Sequence, residues 1–177
     1  MKIALLGSLP KGDKVRAGWV DWKPEYVEKI TALLPEVEIL HGDMISDNVG
    51  AELVVGHDLK LVRDADFIIV DARSKVGAGT AQEMVIAKYF CKPVVTVIPR
   101  DTHHRRSDAT FEGQIIEDWI HPFLKISSDY VADSVEDAVL WIGKFSKDMA
   151  GFEVKDLSVF DKTITEFEKF VGGGDVA

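Results

Sequence analysis

The chain has one cysteine, Cys91, among its 177 residues. That excludes an internal disulfide, and nothing in the sequence resembles a secretory framework, so a reducing, cytoplasmic setting is expected. No apolar run approaches the roughly 20 residues needed to span a bilayer, and no membrane partner is expected. Six residues precede Gly7, too few for a signal-peptide core and cleavage site, so this stretch is expected to be a first strand. Basic residues are also scarce. Lys and Arg number 21 against 30 Asp and Glu, a formal charge of −9. A duplex nucleic-acid binder shows the opposite balance, so the expected partner is a small molecule, although a local basic cluster could still hold phosphate. There is no repeat and no linker. What the chain does have is 46% hydrophobic residues, enough core for about one domain.

Four apolar, β-branched runs read as strands buried on both faces: Ile3 to Leu6, Val37 to Leu40, Phe67 to Val70 and Val94 to Ile98. Helical spacing separates them, over Glu25 to Leu34, Ala51 to Arg63 and Ala81 to Phe90. Pro24 suits the first turn of the first helix, and Pro93 ends the third before its strand. A short helix is expected over Gly113 to Trp119, a fifth strand near Phe123 to Ile126, and a further helix from Ser134 with Ala138, Ile142 and Phe145 on one stripe. The order predicts a three-layer α/β fold, flavodoxin-like or Rossmann-like, with an open parallel sheet of about five strands. Residues 1–150 would form the catalytic domain. Residues 151–177 would supply a helix with Phe160, Ile164, Phe167 and Val171 in register, then a frayed tail from Gly172 to Ala177.

Ligands of such sheets bind beyond the carboxyl ends of the strands, so function is expected in the loops after Leu6, Val70 and Ile98. The most informative stretch runs from Ala65 through Asp71, Gly77 and Gly79 to Thr80, Glu83 and Met84. A buried strand enters a glycine turn and then a helix, whose free N–H groups can face anionic or polar atoms. Glu83 would lie in the first helical turn, where the macrodipole favours its ionised form. Thr80-Ala81-Gln82-Glu83 also reads as a capping box, which would make Glu83 purely structural. A dinucleotide fingerprint is a third reading, with Asp101 downstream, but Gln82 stands where its last glycine belongs.

Gly79-Thr80-Ala81-Gln82-Glu83-Met84, with Ala87 and then Lys92-Pro93-Val94-Val95, resembles the nucleoside 2-deoxyribosyltransferase family and its 2'-deoxynucleoside 5'-monophosphate N-glycosidase relatives. His57-Asp58-Leu59-Lys60-Leu61-Val62-Arg63-Asp64-Ala65-Asp66 resembles that family's acidic helix, and Gly7-Ser8-Leu9 its first loop. The likeness covers roughly residues 1 to 100, and similar glycine loops occur in phosphoribohydrolases that cleave cytokinin nucleotides. It implies cleavage of the N-glycosidic bond of a 2'-deoxynucleoside or its 5'-monophosphate, with transfer of the sugar to another base or to water. Glu83 would be the nucleophile on the anomeric carbon, and Asp58 would assist the leaving base or orient the sugar. Gly7, Ser8 and Leu9 would line the sugar or its 5' end. The resemblance also implies a homodimer or larger homo-oligomer whose sites a neighbour completes, and it implies no cofactor.

The sequence departs from the family at two places. The first strand offers no aromatic, and Gly77 stands where an Asp or Ser often holds a sugar hydroxyl or phosphate. Asp71, Arg73 or Ser74 could replace that function, and Trp19 or Trp22 could supply a stacking surface, although both tryptophans also read as packing groups. Lys11 and Gly12, with a lid from His103, His104, Arg105 and Arg106, could meet a phosphate, against the reading of 103–106 as a solvated loop. Adjacent histidines point apart, so no metal site is expected there. His41 and His121 stand isolated. A nucleotide-binding module without catalysis is the alternative function.

Overall fold

The computed structural model describes residues 1–42 and 47–173. Its strands are β1 (Lys2–Leu6), β2 (Glu38–His41), β3 (Phe67–Asp71), β4 (Val94–Val97), β5 (Arg105–Phe111), β6 (Gln114–Ile120) and β7 (Tyr130–Ala132). The helices are α1 (Asp13–Arg16), α2 (Lys23–Leu33), α3 (Ala51–Asp64), α4 (Ala78–Tyr89), α5 (Pro122–Ser127), α6 (Val135–Lys147) and α7 (Ser158–Gly172). Five strands form one sheet in the order β2-β1-β3-β4-β7, and every pair in it is parallel. Taken alone, the five parallel strands run 2-1-3-4-5, the flavodoxin-like order.

Alternation along each strand divides the core between the two faces. Ile3, Leu5, Phe67, Ile69, Val95 and Val97 point to the side covered by α2 and α6, where Tyr26, Ile30, Ala138, Ile142 and Phe145 meet them. Ala4, Leu6, Ile68 and Val70 point the other way, onto Val62 of α3, Met84 and Ala87 of α4, and Leu124 of α5. Both faces being covered explains why β1, β3 and β4 are apolar throughout. The stripe expected from Ser134 is the buried face of α6, and Ser134 caps that helix by accepting from Asp137 N–H.

Two expected elements are different in the structure. The fifth strand is Tyr130–Ala132, and Phe123 to Ile126 belongs to α5, which Pro122 opens. Residues 113–119, expected as a helix, run into β6 of an antiparallel hairpin with β5. Its turn is Glu112-Gly113, with φ of 52° and 82°, the left-handed pair that a two-residue hairpin turn requires. Helix α7 lies against α5 and buries no residue completely, while Ile164, Phe167, Phe170 and Val171 stay exposed. Gly172 closes α7, and residues 174–177 of the expected tail lie outside the described residues. Among the described residues, no helix is long and apolar enough to cross a membrane.

Candidate functional site

In the order 2-1-3-4-5 the chain leaves β1 and β3 in opposite directions, and a crevice opens beyond their carboxyl ends. A cleft of about 320 Å³ occupies that place. Leu5 to Leu9 and Lys11 line it from the end of β1, Gly77 to Thr80 and Glu83 from the turn and helix after β3, Gly42 from the end of β2, and Asp58 from α3. Trp22 and Lys23, at the start of α2, complete the wall.

Glu83 carries the strongest electrostatic signature there. Helix α4 starts at Ala78, earlier than the sequence suggests, with Gly77 as its extended N-cap and no side-chain cap bond. Glu83 is therefore in the second turn, and the capping box does not form. Thr80 instead donates its hydroxyl to the Gly7 carbonyl at 3.2 Å, tying α4 to the end of β1. Burial, and then the negative charge of Asp58, push the Glu83 carboxyl up to about 7, with Lys11 opposing them. The expected preference for the ionised form is reversed, because the dipole acts mainly on a helix's first turn whereas burial acts on the group directly. Among the described residues, none donates a hydrogen bond to this carboxylate.

Asp58 faces the cleft from α3 and lies 3.0 Å from His57 Nδ1. Gly42 packs close to it, since a Cβ added there would be 3.5 Å from Asp58 Oδ1. Gly7 is required by space: an added Cβ would stand 2.6 Å from the Trp22 ring and 3.2 Å from Asp71 Cβ. Trp22 donates its indole N–H to the Ser8 carbonyl at 3.0 Å and meets Tyr26 edge-on at 5.0 Å. It thereby shapes the first loop as well as lining the cleft. Trp19 is not in the wall, and its ring lies 4.6 Å from the ammonium of Lys23. Lys23 was not singled out in the sequence. Its only local signal is its place between Trp22 and the helix-opening Pro24.

Several other sequence candidates lie elsewhere. Asp71 is buried behind the wall and accepts from the Tyr26 hydroxyl at 2.9 Å and from Arg73 Nε at 2.9 Å. Arg73 then reaches Glu25 at 2.7 Å, so this group is a bonded strut at the end of β3. The basic stretch 103–106 is not a free lid, because it forms the foot of the hairpin. Arg105 is buried and grips Asp118 through Nε at 2.7 Å and Nη2 at 3.0 Å, with further bonds to Asp133 and the Ile98 carbonyl. His104 is buried, and Arg106 donates to the Thr102 carbonyl. Gly12 caps α1 with φ of 85° and does not line the cleft. Asp101 accepts from Ser107 within the hairpin foot, so the dinucleotide reading loses its acidic residue.

Two carboxyl groups of unequal environment, a cation and open backbone in one cleft can support acid, base or nucleophilic chemistry at a polar carbon centre. No protein-family model matches the chain, and no curated protein matches it. Among solved structures it is similar to one described as Clostridium botulinum CMP N-glycosidase, BcmB, at 11% identity and a TM-score of 0.45. That similarity covers 81% of this chain and 99% of the other.

Proposed function

We propose that this chain is an enzyme that cleaves the N-glycosidic bond of a 2'-deoxynucleoside or its 5'-monophosphate in the cleft between β1 and β3. The observation that carries the reading is Glu83, a carboxyl group raised to about 7 by burial and by Asp58 beside it, with no hydrogen-bond donor among the described residues, at the crevice where this fold binds ligands. It is joined by the resemblance of the glycine turn and of the Asp58 helix to nucleoside deoxyribosyltransferases.

In the mechanism, ionised Glu83 attacks the anomeric carbon as its bond to the base nitrogen breaks. The base departs with a proton from a water molecule that hydrogen-bonds to the Asp58 carboxylate, leaving a glycosyl ester on Glu83 and a hydroxide that the proton released in the second step neutralises. Water, or a second nucleobase, then attacks the same carbon and gives its proton to that hydroxide, and Glu83 is released as the carboxylate. The flanking carboxylates stabilise the positive charge that develops on the sugar. Lys11, Lys23, the Ser8 hydroxyl and the N–H groups that open α4 supply donors for a 5'-phosphate.

The test incubates the chain with deoxynucleosides and with their monophosphates, with and without a second base, and separates free base by chromatography. Base release that Glu83→Gln abolishes supports the reading. Saturable binding without release would make the chain a nucleotide-binding module instead. The pH profile of kcat/KM assigns the roles: an ascending limb near pH 7 marks Glu83 as the nucleophile, whereas a descending limb there would exchange its role with that of Asp58.

A further inference from the structure

The turn between β3 and α4, residues 73–77, leads into the cleft wall yet has few bonds of its own. Ala72 N–H still belongs to the sheet, donating to Val97 O at 3.1 Å, and the helix ladder begins with Ala81 N–H on Gly77 O at 3.1 Å. Between them, among the described residues, the turn's backbone N–H groups make two bonds. Arg73 N–H reaches Asp71 at 3.2 Å, and Val76 N–H reaches His104 Nε2 at 3.0 Å.

We propose that His104 is a positioning residue for this cleft: from the foot of the hairpin, its imidazole holds Val76 N–H and so fixes the glycine turn that forms one wall. The inference rests on the reading of the cleft as an N-glycosidase site. His104 is 8% exposed, and its mount is rigid. Its carbonyl accepts His121 N–H at 2.9 Å, and the adjoining Arg105 is pinned to Asp118, Asp133 and Ile98. A backbone donor into Nε2 requires that nitrogen to be unprotonated, which places the ring proton on Nδ1. Burial, followed by the neighbouring rings of His103 and His121 at 4.6 and 5.6 Å, pushes the imidazole down to about 4, so it remains an acceptor at neutral pH. Nδ1 is buried and makes no hydrogen bond among the described residues. Among the described residues, the one side-chain hydrogen bond of this ring is therefore the one it accepts from the turn.

The consequence separates binding from chemistry. Glu83 is anchored independently, through α4's contacts with the core and the Thr80 bond to Gly7. Gly77, which lines the cleft and caps α4, follows Val76 directly. Losing the His104 bond should loosen the wall and weaken substrate binding while leaving the nucleophile in place.

Three measurements test this. In the ¹⁵N-labelled wild-type chain, NMR should show His104 as the Nδ1–H tautomer, with scalar coupling across the hydrogen bond between Val76 nitrogen and Nε2. The opposite tautomer, or an imidazolium near neutral pH, would overturn the proposal whatever the activity. His104→Leu, which has no acceptor, should raise KM about tenfold or more while kcat changes less than about threefold. His104→Gln, whose side-chain carbonyl can accept from Val76, should keep both within about threefold of wild type. Equal losses in the two variants, or no loss in either, would refute a positioning role. If the wild-type chain releases no base, the functional reading fails alone. The NMR result, with the Kd for a deoxynucleoside monophosphate in the same variants, then decides the role of His104.

Discussion

The two halves of α4 treat a charged side chain in opposite ways. Toward its C-terminus Lys88 is wholly buried, and its ammonium meets Asp129, which also accepts Val94 N–H at 2.6 Å and Lys155 N–H at 2.7 Å. Nearer the N-terminus, half-buried Glu83 has no hydrogen-bonded partner among the described residues and feels the charge of Asp58 more than that of Lys11. Lys88 is pulled below the ordinary lysine range by burial even with Asp129 beside it, yet its neighbourhood satisfies it with bonds. Glu83 is left to bear its burial. A helix that carries a bonded charge in one half and, among the described residues, an unbonded one in the other separates scaffold from site, because a strained group persists where chemistry uses it.

That contrast is broken most directly by equal edits in the two halves. Glu83→Gln keeps the shape of the side chain and should lower base release by about 10³-fold or more, in line with loss of a nucleophile. Ligand binding should remain measurable by calorimetry. A variant that still turns over within about tenfold would remove Glu83 from the mechanism and return it to a structural role.

Lys88→Met, only a turn away, should do the reverse. It leaves Asp129 buried without its counter-charge, which typically destabilises a fold by about 3–5 kcal/mol. Activity per folded molecule should stay near wild type. Chemical denaturation at fixed pH reads the first quantity, and single-turnover kinetics on the folded fraction reads the second.

The Glu83 strain also predicts a pH-dependent stability. The carboxyl lies near 7 when folded against an ordinary value of 4.5, so the folded chain binds more protons between those limits. The Glu83 contribution to stability therefore falls as pH rises through that window and stays reduced above it, and because buried His104 contributes in the opposite direction, the difference between Glu83→Gln and wild type is what isolates it. Glu83→Gln should match wild type near about pH 4 and exceed it near about pH 8 by about 2–3 kcal/mol. Thermal melts at both pH values check this, and equal curves at about pH 8 would show that Glu83 is not strained.

The sheet and the direction of the site were legible in the sequence because both follow from local pattern. Buried parallel strands announce themselves as Ile3 to Leu6 and Phe67 to Val70, and the glycines before Glu83 mark a turn on the carboxyl edge. What was illegible depends on partners distant in sequence. Residues 105–120 read partly as a basic loop and partly as a helix. The strand alternation is weak there because both faces of the hairpin are largely exposed, and the partners of Arg105, Asp118 and Asp133, lie well downstream. The protonation of Glu83 was equally hidden. Its neighbour Asp58 sits on another helix, and its burial comes from packing that no spacing reveals.

A third carboxylate gives the smallest and sharpest version of the comparison. Asp71 ends β3, close behind the cleft wall, and is more buried than Glu83. It nevertheless accepts from the Tyr26 hydroxyl and twice from Arg73, so bonds surround the charge that burial would otherwise penalise. Burial and the negative charge of Asp71 both hold Tyr26 above the ordinary phenol range, so it stays a donor throughout the working pH range. Tyr26→Phe removes that one donor and leaves the ring against Trp22 and Ile30 in place. Because Arg73 still holds the carboxylate, the loss should be about 1 kcal/mol, the usual size for one hydrogen bond, with kcat/KM changed less than about twofold. Denaturant midpoints and steady-state kinetics on the same preparation measure both. A loss of activity comparable to that of Glu83→Gln would move Asp71 from the scaffold into the site, and the distinction between bonded and unbonded carboxylates would no longer locate the chemistry.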